Sequence, residues 1–78
     1  MSKKSIEECV RNSLEDYFRD LCGTEPDSLH DMMLRIVERP LLEVVMAHAE
    51  NNQSKAAEWL GLNRNTLRKK LVEHKLLK

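Results

Sequence analysis

The tightest constraint on this chain is the tract that follows its second proline. Leu41, Leu42, Val44, Val45, Met46 and Ala47 are interrupted only by Glu43, and at the pitch of an α-helix they occupy most of its circumference. A helix that is apolar on nearly all sides needs neighbours on nearly all sides. The whole chain has 78 residues, and a domain that small buries only about 60% of the surface its unfolded form exposes. One further amphipathic helix cannot cover the tract. The expected solution is a homodimer in which the first two helices of two chains interleave, with Leu41, Leu42, Val44, Val45 and Met46 at the interface. The alternative is a monomeric three- or four-helix bundle in which C-terminal helices supply the cover.

Nothing else in the chain promises to staple it. Cys9 and Cys22 are the only thiols, and neither falls in a CxxC or Cys/His spacing that would hold zinc, so neither disulfide nor metal is expected. His30, His48 and His74 fall on different predicted helices, without the nucleophile, base and pocket that an enzyme brings together. No catalytic role and no cofactor is expected. Two Gly and two Pro among 41% hydrophobic and 33% charged residues describe an ordered helical chain. No apolar run approaches the roughly 20 residues of a bilayer crossing, and the start is charged where a signal peptide would be apolar. A reducing cytoplasm is the expected compartment.

The formal net charge of zero is a sum over two unlike halves. Residues 1–50 carry six Lys/Arg against eleven Asp/Glu, a balance of −5, whereas residues 51–78 carry seven against two, a balance of +5. A basic segment on a neutral protein suits a polyanion-binding face, unless its lysines are simply spread and solvated.

The apolar spacing predicts an all-α chain of four helices in a single domain over residues 1–78. Ser5 and Glu8 have capping-box spacing, and Ile6, Val10, Leu14, Tyr17, Phe18 and Leu21 then recur helically, giving a first helix over residues 5–21. Gly23 suits the C-cap, and Pro26 suits the first turn of a second helix that reaches residue 50 with a kink near Pro40. Residues 5–50 form the dimerisation unit on this reading. Asn52 then caps a short helix over 53–60, Gly61 closes it, and Asn63 caps a last helix over 64–75. Two short helices about a glycine turn, over 52–75, make a helix-turn-helix.

In that segment Ala57 is small where the last helix crosses, while Leu60, Leu62, Leu67 and Leu71 fill the wedge. The outer face keeps Arg64, Asn65, Arg68 and Lys69, flanked by Thr66 and Lys70. Asn63 and Arg64 stand at the end of a recognition helix that enters the major groove, where arginine forks onto guanine O6 and N7. Thr66, Arg68, Lys69 and Lys70 have the reach for phosphates, and Asn52, Ser54 and Lys55 add contacts from the preceding helix. Asn52 and Asn63 also serve as caps. Trp59 is expected on the solvent side.

The segment from Asn52 to Leu71 resembles the helix-turn-helix of the Fis family, the factor for inversion stimulation. Tyr17-Phe18 and the run Glu38-Arg39-Pro40-Leu41-Leu42-Glu43-Val44-Val45-Met46 extend the resemblance upstream, so that it covers about residues 5–75. It implies an intertwined homodimeric nucleoid protein that regulates transcription and bends double-stranded DNA at degenerate sites. The recognition helices of such a dimer lie closer together than one turn of straight duplex, so A/T-rich centres, which deform at least cost, are favoured. The DNA contacts it implies are Asn52, Ser54, Lys55, Asn63, Arg64, Thr66, Arg68, Lys69 and Lys70.

Three features depart from the family. Enteric Fis activates DNA invertases through a mobile N-terminal arm, and only about four residues precede the first helix here, so invertase activation is not expected. The turn that carries an Arg-Gly pair touching RNA polymerase reads Glu50-Asn51, which leaves polymerase contact open. Val72 and Glu73 stand where the family often has lysines. The rival to a free-standing protein is a C-terminal dimerisation and DNA-binding module of an NtrC-type activator.

Overall fold

A computed structural model describes residues 2–77 as four α-helices joined by short turns. Helix α1 spans Lys3–Asp20, α2 Leu29–His48, α3 Gln53–Leu60 and α4 Arg64–Glu73. The first helix begins earlier than the Ser5–Glu8 spacing predicts. Its N-cap is Ser2, whose hydroxyl accepts from the Ser5 N–H at 3.2 Å. Ser5 therefore occupies the N3 position itself, and each residue added upstream gains a backbone hydrogen bond, the first running from the Ile6 N–H to the Ser2 carbonyl.

The second helix starts later than predicted, and Pro26 lies outside it. Ser28, its N-cap, sits at φ 50 without a side-chain cap, so the chain is still turning at the point where proline would have opened the helix. Gly23 has positive φ as its type allows, but it follows the cap, Leu21, by two residues. Helix α2 then runs through Pro40 from Leu29 to His48. Proline brings no N–H to the ladder, which removes the bond that position 40 would have made to the carbonyl four residues back.

The last two helices follow the sequence closely. Asn52 and Asn63 cap α3 and α4 through their side chains, and Gly61 closes α3 at φ 73. A Cβ at position 61 would touch nothing within 4 Å, so the strain of Gly61→Ala is conformational only. It is expected to cost about 1–2 kcal/mol, the penalty of a left-handed L-residue, as a shift of the denaturation midpoint at unchanged slope.

The core lies where α3 and α4 meet the C-terminal half of α2. It consists of Leu42, Ala49, Ala56, Ala57, Leu67 and Leu71, with Val45, Met46, Leu60, Leu76 and Leu77 packed partly against it. Both alanines of α3 are buried, which lets α4 approach closely. Leu42 is 1% exposed in the single chain, so among the five residues expected at a dimer interface it is already covered by its own helix-turn-helix. The C-terminal helices thus cover one side of the apolar tract, and Leu41 and Val44 on the other side stay exposed.

Helix α1 buries none of its residues. Between it and α2 lies a cleft of about 380 Å³ walled by Val10, Leu14, Tyr17, Met33, Ile36 and Val37. The chain is extended accordingly. Its radius of gyration is 15.0 Å, against about 11.5 Å for a compact domain of this length.

Candidate nucleic-acid interface

The ends of the two short helices are brought together at one edge of the molecule. Asn52 Oδ1 accepts from the Lys55 N–H at 3.1 Å, and Asn63 Oδ1 accepts from the Asn65 N–H at 2.8 Å. Each asparagine thereby satisfies a free donor of its helix and fixes where that helix begins. The Arg64 guanidinium donates to Ser54 Oγ at 3.3 Å, which joins the starts of α3 and α4. The Lys55 ammonium lies 5.3 Å from the centre of the Trp59 ring, and Trp59 is 53% exposed. An exposed stack of this kind steers the lysine more than it stabilises the fold.

Along α4, spacings of three and four residues set Asn65, Arg68, Lys69 and Val72 on one outward face. With Glu73 they line a shallow concavity of about 690 Å³. Of the nine residues singled out from the sequence, Asn52, Ser54, Lys55, Asn63, Arg64, Thr66, Arg68 and Lys69 are exposed. Asn65, which the helical spacing places on the same outer face without assigning it a DNA contact, is exposed beside them.

Lys70 is drawn elsewhere. Its ammonium pairs with Glu38 Oε2 on α2 at 2.8 Å, and the other carboxylate oxygen lies 2.8 Å from His74 Nε2. An ionised carboxylate only accepts, so the histidine Nε2 carries the proton in this contact. Next to Glu38, Arg39 donates to the backbone carbonyl of His74, at the C-cap of α4, and pairs with Glu43 at 3.0 Å. Sequence spacing gives no sign of this tie, because 32 residues separate Glu38 from Lys70.

The tie is electrostatically tuned. The hydrogen bond from Lys70 holds the Glu38 carboxyl below its ordinary value of 4.5, against burial, and His74 assists. The same bond raises Lys70 above its ordinary 10.5, again against burial. A carboxylate lowered on folding contributes stability that is present above its unfolded value and lost as the pH falls through the folded one. A lysine raised on folding contributes below 10.5 and loses that contribution as the pH climbs past it. The link is therefore intact across neutral pH. Glu38→Gln removes the acidic titration, so between about pH 5 and about pH 3 its melting temperature is expected to fall less than the wild type's.

Comparison with known proteins places this geometry. Residues 33–74 match the family described as bacterial regulatory protein, Fis family. The chain is 60% identical over 77 residues to a protein of Ralstonia nicotianae named Fis-like DNA-binding protein, covering 99% of this chain and 100% of the relative. It is 60% identical over 72 residues to one of the same name from Neisseria meningitidis, covering 92% and 91%. To the DNA-binding protein Fis of Aliivibrio fischeri it is 42% identical over 74 residues, which is 95% of this chain and 76% of the relative. Two capped helices about a left-handed glycine, the second with a basic outer face, define a helix-turn-helix protein. The chain belongs to the Fis family of bacterial regulatory proteins.

Proposed function

We propose that this chain is a homodimeric, sequence-tolerant DNA-binding and DNA-bending protein that acts in the cytoplasm, on the bacterial nucleoid, as a transcriptional regulator. The observation that carries the reading is the outward face of α4. There Arg64, Arg68 and Lys69 stand exposed on a helix whose opposite side, Leu67 and Leu71, is locked against α3 and α2. Asn63 and Arg64 read base edges at the leading end of this helix. Asn52, Ser54, Lys55, Thr66, Arg68 and Lys69 take phosphates, which position the helix without specifying sequence.

The dimer is supported by what one chain leaves uncovered. Leu34, Val37, Leu41 and Val44 are all exposed on α2, and their spacing of three, four and three residues is the seam of two packed helices. The α1–α2 cleft continues that apolar surface. A second copy fills both.

Footprinting on genomic DNA tests the reading, with protection expected at short, degenerate sites with A/T-rich centres. Uniform coating without preferred sites would contradict it. Replacing an A/T centre by G/C is expected to weaken binding although no side chain touches those base pairs. Smooth bending of a site costs of order 1–6 kcal/mol, and the centre alters a fraction of that. A competition gel with the two centres in identical flanks measures the difference.

A further inference from the structure

Lys70 sits in a basic run, Arg68-Lys69-Lys70, yet it is held differently from its neighbours. Among the described residues Arg68 and Lys69 enter no ion pair, whereas Lys70 is paired across helices with Glu38. We propose that Glu38 withholds Lys70 from DNA phosphates, so that a residue of α2 fixes how many phosphates the recognition helix neutralises. The inference rests on the DNA-binding reading above and adds to it a residue outside the helix-turn-helix.

The geometry is that of a filled carboxylate. Oε2 takes the Lys70 ammonium and Oε1 takes the His74 imidazole, each at 2.8 Å. The two donors are one turn apart on α4 and its cap, so a single acidic side chain spans them. The side chains of Glu38, Lys70 and His74 are 24%, 31% and 10% exposed, which shelters the contacts from water and makes charge-assisted bonds strong. A phosphate competing for Lys70 would have to strip a half-sheltered carboxylate of the ammonium paired with it. Arg68 and Lys69 meet no such obstacle. Lys70 nevertheless lies at the rim of the α2–α4 junction, and its flexible four-carbon stem turns outward once the carboxylate is gone.

Glu38→Gln isolates the charge. The amide oxygen still accepts from His74, and Arg39 still holds the α4 C-cap carbonyl, so α4 stays docked while Lys70 loses its counter-ion. Lys70→Met keeps an apolar stem without an ammonium. The test is the affinity of the full-length chain for one duplex carrying a preferred site, measured over a range of salt. The slope of log K against log salt is about −0.9 for each phosphate neutralised. Four proteins are compared after their thermal melts show them folded: wild type, Glu38→Gln, Lys70→Met and the double variant.

Wild type and Lys70→Met are expected to share one slope. Glu38→Gln should steepen it by about 0.9 for each chain bound, and the double variant should return it to the wild-type value. A shallower slope in Lys70→Met alone would overturn the inference, since Lys70 would then be on phosphate despite Glu38. So would a Glu38→Gln variant that binds more weakly at unchanged slope, the mark of a purely structural role. Failure of the wild type to bind duplex at all would instead remove the DNA reading, and this inference with it.

Discussion

Val44→Asp is expected to sediment as a monomer at concentrations where the wild-type chain is a dimer, and to lose site-specific DNA binding with it. Val44 is 57% exposed in the single chain, so an aspartate there meets water in the monomer and disturbs no contact of the core. In the proposed dimer the same position lies in the α2 seam, where the carboxylate is buried without a partner. An uncompensated buried charge costs roughly 3–5 kcal/mol, and the twofold axis imposes it from both chains. Val45 is the less informative site, because it already packs partly against its own chain's core. Retained helicity with a halved mass in equilibrium sedimentation is the expected pair of results. A dimeric Val44→Asp protein would place the interface elsewhere.

Arg64→Ala is expected to cost roughly 1–3 kcal/mol per half-site and to flatten the preference among sites, because the bidentate fork onto guanine is lost. A dimer carries the loss twice. The Ser54 hydroxyl that Arg64 contacts is exposed, so the deletion leaves no buried group unpaired and stability should hardly move. Lys69→Ala is the contrast: it should weaken all sequences alike and lower the salt slope by about 1 for each phosphate contact removed. Binding to a randomised half-site library separates the two. If Arg64→Ala left the ranking of sites intact, base reading would lie with other residues of α4, Asn65 among them.

How far the sequence leads depends on how local each cause is. The helix-turn-helix was legible nearly to the residue, because Asn52, Gly61 and Asn63 act on their own helix ends through contacts two to four residues away. The start of α1 was misplaced because Ser2 and Ser5 both precede helical spacing, and the choice between them turns on whether Lys3 and Lys4 extend the ladder. The start of α2 was misplaced because Ser28 takes a left-handed turn that no glycine announces. Leu42 and Lys70 show the deeper limit. Leu42 lies in the apolar tract and Lys70 in the basic run, but the angle at which α3 and α4 dock on α2 decides which members of each face inward. That docking buries Leu42 and turns Lys70 toward Glu38.

In the proposed dimer, two copies of α4, fixed by one α2 seam, grip a single duplex and bend it. A circular-permutation gel measures this most directly, with one preferred site moved along fragments of equal length. Complexes of two chains per duplex are expected, with mobility lowest when the site is central and rising as it approaches either end. Complexes that migrate alike wherever the site lies, or that hold one chain per duplex, would contradict it.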